Sequence, residues 1–203
     1  MKGQLEGILG HDVSRETLDR LELYETMLRE EAARHNLVSR GTLDQLRDRH
    51  VLDSAQLLRF EPRPGASWID IGSGAGLPGI VLAILGERPV TLVEPRRLRA
   101  EFLHKAVRAL NLSATVLCMK AERVEGKYDV ITARAVAPLD ELLKISHHLS
   151  TRNSVWVLPK GRNAESEVAE AKRAWQGVFH VERSVTDADS GIVVAREVKA
   201  RGR

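Results

Sequence analysis

Three glycines spaced by one residue, Gly72, Gly74 and Gly76, follow directly on the apolar run Trp68-Ile69-Asp70-Ile71. Leu77-Pro78-Gly79 then leads into a second apolar run, Ile80 to Leu85. The pattern is that of a strand, a tight turn and a helix start. Glycine accepts positive φ and lets a ligand come close to the backbone. Such a turn constrains the chain to an α/β fold and points to a cofactor that carries adenosine.

Two registers fit the turn. Gly74-Ala75-Gly76-Leu77-Pro78-Gly79 matches G-x-G-x-x-G of dinucleotide sites. Asp70-Ile71-Gly72-Ser73-Gly74-Ala75-Gly76 matches the D-x-G-x-G-x-G loop of S-adenosylmethionine (SAM) dependent methyltransferases. The second is favoured. Its glycines start where the strand ends, and Asp70 would hold the ammonium end of methionine, directly or through water, rather than face a pyrophosphate, which a carboxylate repels. The alternatives are a nicotinamide enzyme and a glycine turn with no ligand. Glu94 closes the next strand, 90–93, where an acid accepts hydrogen bonds from ribose hydroxyls of either cofactor. Lys120-Ala121-Glu122 follows the third strand and would meet the adenine edge.

From residue 67 onward, strand and helix patterns alternate. Strands are expected at 67–71, 90–93, 114–117, 128–133, 154–158, 179–184 and 191–197, with helices near 78–86, 96–110, 138–150 and 163–175. Alternation implies a mostly parallel sheet covered on both faces. Only Val185 to Ser190 separate the last two strands, too few for a helical crossover, so these should run antiparallel. The expected architecture is a class I SAM-dependent methyltransferase: a Rossmann-like seven-stranded sheet with an antiparallel last strand and an N-terminal helical extension. Leu18, Leu21, Tyr24, Leu28 and Ala32 stripe one helix over 14–35, and Thr42 to Gln45 has the form of a capping box for a second. Pro62-Arg63-Pro64-Gly65 marks the boundary. Residues 1–62 are thus an extension packed on the core, and 63–203 the methyltransferase domain.

Asn36-Leu37-Val38-Ser39, Arg49-His50-Val51-Leu52-Asp53-Ser54, the loop 70–79, Arg134-Ala135-Val136 and Lys160-Gly161 occur in this order. Together they resemble the bacterial glucose-inhibited-division protein B family over about residues 20–195. The resemblance implies a 16S ribosomal RNA methyltransferase acting on N7 of a guanine, with SAM as cofactor and ribosomal RNA or the small ribosomal subunit as partner. It implies SAM contacts at Gly72 and Leu77, adenine contacts at Ala121 and Glu122, a cofactor and active-site arginine at Arg134, and an active-site lysine at Lys160. Asp70, Gly74, Gly76 and Glu94 complete the cofactor set. Asn36, Arg49, His50 and Asp53 are read as substrate contacts or support, the last three docking their helix beside the cofactor. Arg134 can grip phosphate, stack on the base or shape the pocket, the alternative being an ion pair with Glu122 or Asp129. Lys160 is read as a contact to phosphate or guanine O6, the alternative being a surface lysine. Two positions depart from the family. Its usual lysine is Leu98 here, between Arg97 and Arg99, and Asp189-Ser190-Gly191 stands where many members have an arginine before the last strand.

Charge and composition narrow the rest. Residues 1–60 hold 9 Lys/Arg against 11 Asp/Glu, whereas residues 88–134 hold 10 against 5, so the basic surplus sits at the cofactor edge, as a phosphate-bearing substrate requires. Aromatics, at 4%, are too few for a base-stacking platform. No run of about 18 apolar residues provides a membrane span. The lone Cys118, read as a buried hydrophobe in a strand, and the lack of an apolar leader point to the cytoplasm. The seven histidines show no metal-ligand spacing, and nothing demands an oligomer, so a metal-free monomer is expected. A ring-nitrogen target also suits the absence of Pro-Pro-Tyr/Phe or cysteine after the fourth strand. The competing functions are a small-molecule methyltransferase and a non-catalytic RNA-binding assembly factor.

Overall fold

The computed structural model describes residues 1–34, 50–86 and 88–202. Three helices come first among these: α1 (Lys2–Leu9), α2 (Arg15–Arg34) and the short α3 (Leu52–Ala55), which continues as a 3-10 turn, Gln56–Phe60. Then follow β1 (Trp68–Ile71), α4 (Gly79–Gly86), β2 (Val90–Val93), α5 (Arg97–Ala109), β3 (Ala114–Leu117), β4 (Val130–Ala133), α6 (Leu139–Ser146), β5 (Val155–Lys160), α7 (Ala164–Ala174), β6 (Trp175–Arg183) and β7 (Gly191–Ala200). The seven strands form one sheet in the order β3-β2-β1-β4-β5-β7-β6. β1 to β5 run parallel, and β7 lies antiparallel to both β5 and β6.

Strand parity divides the core. Trp68, Leu92, Val130, Val155 and Val157 face a layer built from α4, α5 and the N-terminal helices. Ile69, Ile71, Ile131, Trp156 and Leu158 face α6 and α7. Successive strand residues point to opposite faces, which is why β1 is buried at every position. The N-terminal helices enter this first layer directly: Leu5, Leu21, Tyr24 and Leu28 share one apolar cluster with Trp68 and Ile80. Ser14 caps α2 through its hydroxyl on the amide of Thr17, 3.1 Å. Gly10, at φ 75, ends α1, a helix too short and weakly patterned to be expected from sequence.

The observed strands are β1 to β7 as expected in number and order, with β6 starting earlier, at Trp175. One reading is corrected. Cys118 stands just beyond β3 and is exposed: Val116 is the last buried position of the strand, and Leu117 is only partly buried. Asn36, Arg49 and the capping box at 42–45 lie outside the described residues.

Candidate active site

The carboxyl ends of β1, β2 and β4 meet at the glycine loop. Gly72, Gly74 and Gly76 all take positive φ, at 67, 57 and 97°. Gly72 is glycine for a second reason: a Cβ there would stand 2.6 Å from Cγ2 of Val136, on the loop after β4. At Gly74 the nearest atoms to such a Cβ are 3.8 Å away, Nη1 of Arg99 and the carbonyl of Gly72. That face of the loop therefore admits a ligand, with a guanidinium beside it. Arg99 supplies positive charge next to the exposed Leu98.

Two acids brace the loop. Glu94 is 3% exposed and accepts the amides of Gly74 (2.9 Å) and Arg96 (2.8 Å). A carboxylate has about four acceptor sites, so two remain that could take donors of a ligand. Asp70 shares the face of Trp68 and points beneath the loop. None of its surface is exposed, and its Oδ2 accepts the amide of Gly79 at the start of α4, 3.1 Å. It braces the loop from behind. Among the described residues its Oδ1 has no hydrogen-bond partner. Burial pushes the Asp70 carboxyl up to about 7; Ser73, Gly79 and Arg134 pull it down, and Glu94 raises it. From the other side, the buried Tyr24 of α2 donates to the carbonyl of Ala75, 2.8 Å. Ala121 is buried and Glu122 exposed, on the 3-10 turn Ala121–Arg123 next to the carboxyl end of β3. Leu77 is buried under the loop.

The loop after β4 is strained and clamped. Ala135 adopts φ 57, a conformation that costs a non-glycine residue about 1 kcal/mol. On one side of it Arg134 donates from Nη1 to Nδ1 of His50, 2.9 Å. On the other side Val136 lies against Gly72. Lys160 fastens the next residues: its ammonium donates to the carbonyl of Ala137 (2.7 Å) and pairs with Glu167 (2.8 Å). Glu167 also accepts the amide of Leu139, 2.8 Å. Lys160 is thus no surface lysine, its side chain being 10% exposed. It shapes the wall of the site, with at most one ammonium hydrogen left over.

A cleft of about 350 Å³ opens between this loop, β5, β7 and the segment that carries α3. His50, Asp53, Arg134, Lys160, Ser184 and Ser190 line it. Gln56, 2% exposed, ties α3 to the β6–β7 connection: its Nε2 donates to Ser184 (3.0 Å) and Asp53 (3.3 Å), and its Oε1 accepts the amide of Val185 (2.9 Å). Thr186 donates to the same oxygen of Asp53. An arginine carries only donors, so His50 accepts at Nδ1 and is neutral, with its proton on Nε2. Asp129, considered above as a partner of Arg134, is instead engaged by Arg63 and Ser67.

The structure thus brings Gly72, Gly74, Glu94 and Arg134 to one rim, and His50, Asp53, Arg134 and Lys160 to one cleft. Sequence reasoning missed Gln56, Thr186 and Glu167, whose roles are purely tertiary. Tyr24 carried a weak signal, as the only aromatic on the apolar stripe of α2. At the departure, Asp189 makes an exposed pair with Arg162, 3.2 Å. Gly191 is packed against Ala164 and Val181, where a Cβ would stand 2.8 Å from each. Among the described residues no group of three or more His, Cys, Asp and Glu can hold a metal ion, and no helix is long and apolar enough to cross a membrane.

A family model described as GidB, rRNA small subunit methyltransferase G, matches residues 17–193. The chain is 46% identical over 195 residues to "Ribosomal RNA small subunit methyltransferase G" of Zymomonas mobilis, covering 92% of this chain and 88% of that protein. It is 48% identical to the protein of the same name from Sphingopyxis alaskensis, covering 89% and 79%. Among solved structures it resembles M. jannaschii TYW2 in complex with AdoMet, at a TM-score of 0.56 and 13% identity, covering 81% and 78%. It also resembles a ribosomal protein L11 methylase from Lactobacillus delbrueckii, at a TM-score of 0.54 and 17% identity, covering 74% and 77%. Identities this low speak to the fold alone.

Proposed function

The chain belongs to the GidB family of small-subunit ribosomal RNA methyltransferases, and on that premise we propose that it transfers the methyl group of SAM to N7 of a guanine in 16S ribosomal RNA. The observation that carries the reading is the position of Arg134. It stands on the rim between an open glycine cradle and a cleft of about 350 Å³, large enough for a nucleobase.

The residues present fit the cofactor. Gly74 leaves its outer face open, Glu94 keeps two acceptor sites, and Arg99 stands by for the carboxylate. We assign the cofactor to Gly72, Gly74, Gly76, Leu77, Glu94, Ala121, Glu122 and Arg134, with Asp70 as their support. When bound, SAM supplies a methyl group on a sulfonium, and the sulfur keeps the electron pair of the broken C–S bond. Guanine N7 offers an in-plane lone pair and no proton, so the protein needs no general base. Its task is to align the base on the C–S axis with N7 about 3 Å from the carbon. The clamp of Lys160 and Glu167 on residues 137–139 holds the wall between cradle and cleft in register for this. His50 fixes Arg134 as a neutral acceptor and adds no competing positive charge.

Residues 1–62 are read as an extension that completes the catalytic unit of 63–203, supported by the bond from Tyr24 to the glycine loop. An enzyme acting on ribosomal RNA works where subunits assemble, in the cytoplasm, and this reading needs neither a metal nor a second subunit. The test is methyl transfer from labelled SAM to small subunits of cells lacking the protein, with nucleoside mass spectrometry. New 7-methylguanosine at one site is expected. Incorporation into another nucleoside, or none despite SAM binding, overturns the reading.

A further inference from the structure

Asp53 is placed differently from the other charged groups of the cleft. Arg134 is bonded to His50, and Lys160 to Ala137 and Glu167. Asp53 receives Gln56 and Thr186 on the same oxygen, Oδ1. Those two donors, one of them buried, fix the carboxylate plane, and Oδ2 remains as an acceptor on a half-buried side chain that lines the cleft. An acceptor fixed in this way selects for donors on a ligand.

Resting on the guanine-N7 reading, we infer that Asp53 reads the Watson–Crick edge of the target base, Oδ2 accepting from N1–H and the N2 amine. Guanine is the one RNA base with two adjacent donors on that edge. Adenine and cytosine place a ring acceptor beside their amine, and uracil flanks its single N–H with two carbonyls. A carboxylate facing either acceptor leaves a lone pair against a lone pair, and that penalty supplies discrimination of the kind a built polar site achieves. The contact also leaves N7, on a different edge, free to approach the cradle. It requires a base out of its pairing, which a cleft of this size accommodates.

The same bond favours the reaction. As the methyl arrives, the N7 lone pair becomes a bond and the purine takes up positive charge. N1–H becomes a stronger donor in step, so its hydrogen bond to a fixed carboxylate strengthens on the way to the transition state. Interactions that grow in this way raise turnover rather than only binding.

The experiment uses the full chain and small subunits reconstituted with 16S RNA carrying guanosine or inosine at the methylated nucleotide. Inosine keeps N7, N1–H and O6 and lacks only the N2 amine. Single-turnover methylation at saturating SAM should be about 10- to 100-fold slower on inosine for the parent protein, as for loss of a hydrogen bond to a charged group. Asp53→Asn and Asp53→Ala should lose a similar factor on guanosine, bind SAM as the parent does, and discriminate guanosine from inosine by less than about 3-fold. Thr186→Val, which loosens the carboxylate without removing it, should retain most of the discrimination. Equal rates of the parent on guanosine and inosine overturn the inference without any variant. So does full discrimination by a folded Asp53→Ala protein. Absence of 7-methylguanosine from the guanosine subunits with the parent protein instead overturns the reading of the reaction, and this assignment with it.

Discussion

The glycine cradle and the cleft share Arg134 yet are held together by different means. In the cradle the backbone does most of the work. Three left-handed glycines within five residues shape the loop, and its braces are amides that donate to Glu94 and Asp70 and a carbonyl that accepts from Tyr24. In the cleft, side chains from remote parts of the chain hold one another: Arg134 with His50, Lys160 with Glu167, Gln56 with Ser184, Asp53 with Thr186. The comparison teaches that damage to the cradle should fall on cofactor affinity, whereas damage to the cleft should fall on turnover.

The hardest test of that division is Gly72→Val. Its φ of 67 and the contact with Val136 leave no room for a β-branched side chain. SAM affinity should fall by at least about 100-fold, the factor that follows from roughly 3 kcal/mol of strain and clash. Calorimetric titration of the folded variant checks this, and unchanged affinity would remove the loop from the cofactor site.

Asp70→Asn sharpens the account of what lies beneath the cradle. Burial raises the Asp70 carboxyl to about 7 from 3.8, so between those values the folded state holds a proton that the unfolded chain releases. Parent stability therefore falls as pH rises through this window, by at most about 4 kcal/mol from this group. Asn stays neutral and can still accept the amide of Gly79. Urea midpoints of the two proteins from pH 4 to pH 7 should diverge in favour of the variant; parallel curves would mean that Asp70 titrates normally.

Lys160→Ala acts on the cleft. It leaves Glu167 without its cation and Ala137 without its donor, at a cost of about 1–3 kcal/mol in stability. The clamp on the 134–138 loop loosens, and transfer should slow by about 10-fold, the effect of a misplaced reacting group, while SAM binding changes little. Equal loss of SAM affinity and turnover would erase the distinction between the two regions.

The smallest effect is expected for Tyr24→Phe. One buried hydrogen bond to Ala75 disappears, worth about 1 kcal/mol, and SAM affinity should weaken about 3- to 5-fold with turnover at saturation preserved. A fall in turnover alone would place Tyr24 with the cleft.

Local order explains what the sequence by itself determined. The cradle was legible because its strand, turn and helix are consecutive, and because glycine is demanded by backbone geometry that can be named from spacing alone. Alternation of strand and helix likewise set the parallel sheet, and the short connection 185–190 set the antiparallel end. Only the tertiary structure could show that Asp70 points beneath the loop rather than into it, a matter of strand parity and of the helix layer it meets. Cys118 was misread for a related reason: an apolar run does not say where its strand leaves the core. The cleft depended most on tertiary structure. His50 and Arg134 lie 84 residues apart, and Gln56 and Ser184 lie 128. Pairs at such separation are joined by the closing of the sheet, and no local pattern of residues encodes which side chains that closure will bring within hydrogen-bonding reach.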